Sequence, residues 1–126
     1  MSRTEIRTDQ APAPGGGYSQ GIRAGKLVFT AGQVPFDPAT GKLVGPTIEE
    51  QTAQALDNVA AVLGAAGATL ADVVKVTTFI ADMELFPAYD AIYRTYFPEP
   101  RPARSTIGVQ LHGFLIEIEA IAVLPD

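Results

Sequence analysis

A chain of 126 residues with a formal charge of −5, no cysteine and one histidine excludes a disulfide framework, a thiolate zinc site and a His-rich metal centre. Its length fits one domain spanning residues 1–126, long enough to bury a core without staples. Nine scattered Lys and Arg residues form no basic stripe to neutralise a row of phosphates, so nucleic acid is not an expected partner.

Hydrophobic content is 47% and mean hydropathy is +0.16. No apolar run approaches the roughly 20 residues that a membrane span needs. The excess apolar surface therefore points to an interface between copies of the chain. Residues 1–17 contain no apolar signal core, which leads to the expectation of a cytoplasmic protein.

The first element expected is a short strand over Thr4–Thr8. A breaker-rich loop from Ala11 to Gly17 then delivers Tyr18. Ile22–Ala24 and Leu27–Ala31 read as a hairpin turning at Ala24–Lys26. Residues 32–41 form a loop with a turn over Pro38–Gly41. Thr47 and Glu50 have the spacing of a capping box. Ile48, Ala55, Leu56, Val59, Val62, Leu63 and Ala66 then recur with helical period, and Gly67 is placed to end the helix in a left-handed conformation.

Val73–Ile80 alternates and is rich in β-branched residues, hence a strand. A second helix starts near Asp82 or Phe86, tolerates Pro87 only in its first turn, and stops at Phe97-Pro98. Its aromatic stripe (Phe86, Tyr89, Tyr93, Tyr96, Phe97) reads as core or interface packing. Arg104–Gln110 and Leu115–Leu124 are the closing strands. The order β-β-β-α-β-α-β-β predicts an α+β layer, a mixed sheet with two helices on one face.

Two carboxylates stand inside the last strand. Side chains alternate, so Glu117 and Glu119 share a face with Leu115, Ile121 and Val123, while Ile116, Ile118, Ala120, Ala122 and Leu124 face the core. A carboxylate there needs a cation, a donor or a ligand to compensate it. Arg104, in Arg101-Pro-Ala-Arg-Ser-Thr106, is a nearby cation; it could also be a structural ion pair with Glu119 or with a neighbouring subunit. His112, in a turn, reads as exposed. Gly15–Gly17 lacks the following Gly-Lys-Ser/Thr of a phosphate loop.

Gly-Gly-Tyr18-Ser-Gln-Gly, Phe29-Thr-Ala-Gly-Gln-Val-Pro35, Gln54-Ala-Leu-Asp-Asn-Val59, Pro102-Ala-Arg-Ser105 and Ile116-Glu-Ile-Glu-Ala-Ile-Ala-Val123 occur together in this order. In these stretches the chain resembles the Rid (YjgF-type) reactive intermediate deaminases along its whole length. The resemblance implies a chorismate-mutase-like fold and a homotrimer with sites between subunits. It implies cofactor-independent hydrolysis of 2-iminobutanoate and 2-iminopropanoate to 2-keto acids and ammonium, limiting damage from reactive enamines. It maps the substrate-carboxylate ligand onto Arg104, the water-positioning acid onto Glu119, and backbone groups of the site onto Thr106. Tyr18, Ala31 and Gly32 map to the substrate-binding wall.

Four positions depart from that pattern. Ala31 stands where many members carry Ser, Thr106 where several carry Cys, Gly17 where Pro often precedes the site Tyr, and Asp90 where Asn is common. The Ser hydroxyl and Cys thiol are thus lost, and an altered substrate preference is expected. The chemistry fits the mapped residues. A guanidinium fork matches a planar carboxylate, and a partly buried Glu can take a proton from water and return it to ammonia. The alternatives are a non-catalytic trimer that binds 2-keto acids and a deaminase of a larger enamine. RNA cleavage and a holdase role find no support in the residues.

Overall fold

The structure, a computed structural model, describes residues 2–126. Six strands form one sheet: β1 (Arg3–Ile6), β2 (Gly21–Ala24), β3 (Leu27–Thr30), β4 (Val73–Ile80), β5 (Ala103–Gly108) and β6 (Ile116–Val123). Two helices, α1 (Ile48–Ala65) and α2 (Phe86–Tyr96), complete it, so the α+β layer and its element order are as expected. The spatial order is β1-β2-β3-β6-β4-β5. All neighbours are antiparallel except β4 and β5, which are parallel because α2 lies between them in sequence.

Local chemistry accounts for the boundaries. Thr47 caps α1, its hydroxyl accepting from the Glu50 N–H at 3.2 Å. The reciprocal half of the expected capping box is different: the Thr47 hydroxyl donates to Glu50 Oε1 at 2.8 Å instead of the carboxylate reaching back to the Thr47 N–H. At the other end Gly67 has φ +87°. Its N–H bonds the Gly64 carbonyl and that of Ala68 bonds Leu63, satisfying carbonyls that the helix leaves free. Asp82 caps a single 3₁₀ turn, Met83–Leu85, that leads into α2.

Both helices cover one face of the sheet. Val28, Val76, Ile80, Ile116, Ile118, Ala120 and Ala122 are buried on that face against Ala55, Leu56, Val59, Val62, Leu63, Tyr89 and Tyr93. The other face has no layer over it. Leu27, Phe29, Ile107 and Val123 are exposed there, giving the apolar excess of the composition a location. Among the described residues no helix is long and apolar enough to cross a membrane.

Candidate functional site

Arg104 sits on β5, an edge strand. Across the ladder it opposes Val76, which opposes Ala120 on the far side. Cross-strand partners share a face, so its side chain rises on the helix side, beneath α2. There Phe86, Tyr89 and Tyr93 surround the guanidinium, with ring centroids 5.2, 5.3 and 4.4 Å from its central carbon. The aromatic stripe is therefore more than core: three of its rings box a cation, an attractive arrangement for their negative faces. Helical spacing predicted the stripe, but its occupant lies fifteen residues downstream of Tyr89 and carries no local signal.

Arg104 Nη1 donates to Asp90 Oδ1 at 2.8 Å and stands 3.5 Å from the Tyr89 hydroxyl. That hydroxyl in turn shares a 2.6 Å hydrogen bond with buried Thr78. Asp90 Oδ2 accepts from Arg94 Nε at 2.9 Å. Hydrogen bonds among the described residues engage only Nη1 of Arg104, which leaves the Nε–Nη2 edge of its fork free. Burial lowers the proton affinity of Arg104, but the Asp90 hydrogen bond and the charges of Tyr89 and Asp90 outweigh it, so its pKa is raised. Burial raises that of Asp90, yet the bonds from Arg94 and Arg104 hold it below the usual carboxylate value. Desolvation pushes the Tyr93 phenol up to about 12. A cleft of about 250 Å³ opens beside this cluster, lined by Asp90, Tyr93, Arg94, Arg101, Pro102 and Arg104.

A second cluster lies where β3 leaves β6. Regular pairing runs to Phe29 opposite Ile121; the Thr30 hydroxyl then accepts from the Ala120 N–H at 3.0 Å. Contact resumes at Gln33 opposite Ile118. Ala31 and Gly32 thus bulge against the single residue Glu119, which re-aims the chain locally. Glu117 lays its carboxylate on the Cα of Gly32, a space that any β-carbon would occupy. Burial, then the charge of Glu119, raise the pKa of Glu117. The sequence left open which of the two acids is buried; both are half-buried in the single chain, and Glu117 is the one that packs on Gly32.

Tyr18 borders a hollow of about 210 Å³ with Gly32, Gln33, Val34 and Phe36. It is itself 54% exposed, and its hydroxyl accepts from the Gly15 N–H at 3.0 Å. Buried amides fix these loops from beneath. The Gln20 side chain donates to the carbonyls of Thr8 and Pro12 and accepts from the Thr8 N–H. Asn58 donates to the carbonyls of Val34 and Phe36, and Gln51 joins Gly45 to Leu115. A wider hollow of about 780 Å³ lies outside Tyr18, but its charged rim includes Glu5 and Arg7, which pair with each other in solvent.

Arg104 and Glu119 do not meet. Glu119 opposes Thr77, which opposes Ser105, on the uncovered face; Arg104 projects from the other. Of the alternatives for Arg104, an ion pair with Glu119 of the same chain does not form, because strand register separates the two and Asp90 answers the cation. Thr106 shares the helix-side face with Arg104 and approaches the Tyr89 hydroxyl. Within one chain, Arg104 and Thr106 form one group, and Tyr18, Ala31, Gly32, Glu117 and Glu119 form another. His112 is exposed. Among the described residues no three His, Cys, Asp or Glu side chains cluster to hold a metal.

This two-layer fold, with an arginine boxed on its edge strand and an acid on its central strand, defines a class that comparison with known proteins identifies. The family model described as Endoribonuclease L-PSP matches residues 8–124. A RutC family protein of Pyrococcus horikoshii is 49% identical over 119 residues, covering 93% of this chain and 94% of that one. The 2-iminobutanoate/2-iminopropanoate deaminase of Mus musculus is 42% identical over 123 residues, covering 96% and 91%. Among solved structures, E. coli TdcF with bound serine superposes with a TM-score of 0.91 at 38% identity, covering 97% of this chain and 99% of that one. The chain belongs to the Rid (YjgF, L-PSP) family.

Proposed function

We propose that three copies of this chain form a closed ring that hydrolyses small 2-imino acids to 2-keto acids and ammonium. The observation that carries this reading is the Arg104 guanidinium, gripped through Nη1 by Asp90 and by three rings, with its Nε–Nη2 edge free. Such an edge donates two parallel charge-assisted hydrogen bonds to a carboxylate. The name of the mouse relative and the amino acid bound to TdcF agree with an α-substituted carboxylate as ligand.

Arg104 binds and orients the substrate carboxylate. Glu117, more basic than an ordinary carboxylate, takes a proton from water as its oxygen bonds the imine carbon and the C=N π pair moves to nitrogen. Glu117 returns that proton to the nitrogen, giving a tetrahedral adduct with one hydroxyl and one amino group, and then carries the hydroxyl proton to the same nitrogen as the C–N bond breaks and the carbonyl forms. Ammonia leaves and takes a proton from solvent to become ammonium. Glu119 acts by its charge, keeping Glu117 basic. Thr106 contributes backbone groups from the edge strand, which has one unpaired side in the single chain. Tyr18, Ala31 and Gly32 wall the pocket. No step calls for a cofactor.

Two features of the single chain support the trimer: a bare apolar face, and a site split between opposite faces of the sheet. A ring that brings Arg104 of one copy beside Glu117 of the next satisfies both. A larger enamine substrate remains a variant of the same chemistry, favoured only by the small Ala31. Binding of keto acids without turnover is the other outcome of the test.

The test mixes two inactive variants. Arg104→Gln and Glu117→Gln are each assayed for removal of 2-iminobutanoate generated by a dehydratase in the presence of semicarbazide. They are then combined, dissociated and reassembled. Each alone should be inactive, and random mixing should restore about a quarter of wild-type sites, because only one pairing of neighbours carries both native residues. No recovery on mixing, with an active wild type, means a site within one chain. An inactive wild type means a binding protein.

A further inference from the structure

The cleft beside Arg104 holds more positive charge than a monocarboxylate needs. Arg94, Arg101 and Arg104 line it together, a third of the nine basic residues in a chain of net charge −5. Asp90 spends one oxygen on Arg94 and the other on Arg104. A substrate carboxylate on the free edge of Arg104 would balance a second cation. Among the described residues Arg101 is then answered only by Glu99, at 3.3 Å, whose side chain is 85% exposed. Such a surface pair is weak and readily exchanged. The side chain of Arg101, by contrast, is only 33% exposed, and its charge acts on Tyr93 in the floor of the cleft. Because the protein as a whole repels anions, this local field must come from the cluster itself.

Resting on the carboxylate-binding reading of Arg104, we infer that the preferred substrates are 2-imino acids whose side chain ends in a second carboxylate, and that Arg101 is the residue that reads it. The first carboxylate takes the Nε–Nη2 edge of Arg104. The second displaces Glu99 from Arg101, and Asp90 keeps Arg94 and Arg104 apart so that the two anionic groups are received at separate points. Four- and five-carbon acids suit a cleft of this size. A short uncharged side chain leaves Arg101 idle.

The stable product analogues 2-oxoglutarate and 2-oxobutanoate test this by calorimetry on the intact protein. The dicarboxylate should bind about tenfold more tightly, the worth of one added charge-assisted contact, and added salt should compress the ratio. Arg101→Gln should bring the ratio to about one, and Arg101→Lys should restore most of it by keeping the charge. Equal binding by wild type, or equal weakening of both ligands in Arg101→Gln, overturns the inference. Turnover of 2-iminobutanoate is measured alongside. Turnover without a binding preference removes the inference alone, whereas a binding preference without turnover of either imine removes the deaminase reading and leaves Arg101 as the reader of a second carboxylate on a bound ligand. If neither keto acid binds but turnover proceeds, the kcat/KM ratio for the imines of glutamate and 2-aminobutyrate decides on the same terms. If there is neither binding nor turnover, both fall.

Discussion

Glu117 rests its carboxyl group on the bare α-carbon of Gly32, its carboxyl carbon only 2.8 Å from where a β-carbon would stand. Gly32→Ala must therefore move the end of a flexible acid while leaving the backbone in place. We expect kcat to fall about 100-fold, the usual result of misplacing a reacting group by an ångström. The melting temperature should move by only a few degrees. A variant with wild-type kcat would remove Glu117 from the chemistry.

The pH profile separates the two acids. Glu117 must be ionised to accept a proton, so activity should rise with pH through its pKa. That pKa is lifted first by burial and second by the charge of Glu119. Glu119→Gln deletes the second cause, and the acid limb should shift to lower pH without reaching the value of a free carboxylate. An unmoved limb would show that Glu119 does not act on the titrating group.

Asp90 ties α2 to the edge strand through two guanidinium groups. Its pKa in the folded chain is depressed, so its contribution to stability is full above the unfolded value of about 3.9 and is lost as pH falls through the folded value. Asp90→Asn should cost about 1 kcal/mol at pH 7. The difference from wild type should shrink as pH drops below about 4. Urea denaturation at pH 7 and in acid measures both, and a pH-independent difference would contradict the ion-pair account.

Assembly is open to a single substitution on the bare face. Phe29 opposes Ile121 there and is exposed in the isolated chain. Phe29→Asp should yield a folded species with the 13.3 kDa mass of one chain by light scattering, and imine hydrolysis should disappear with the ring. A variant that assembles normally would show that this face is not the contact.

Much of the fold was legible because its signals are local. Val73–Ile80 is rich in β-branched residues and is a strand to the residue, its alternation reset once by an irregularity at Val73–Lys75, and Gly67 ends α1 as a left-handed cap. The polar residues buried on α1, Gln51, Thr52 and Asn58, broke the apolar period without breaking the helix, because Gln51 and Asn58 serve loops distant in sequence. The site was legible as a set of residue types, not as a geometry. Whether Arg104 and Glu119 share a face depends on the pairing of β5, β4 and β6, and a one-residue slip would reverse the answer. The sequestration of Glu117 depends on a bulge at Ala31 and Gly32 that no periodicity announces.

Gln20 and Asn58 fasten the loops around Tyr18 and Gly32 to the core, and Gln20 also borders the hollow itself. A change at Ala31, the neighbour of Gly32, would alter the wall of the hollow while the anchoring amides keep its outline. A lineage built on this plan can change what such a hollow accommodates in single steps, each intermediate still folded, and diversity of ligand becomes easy to explore.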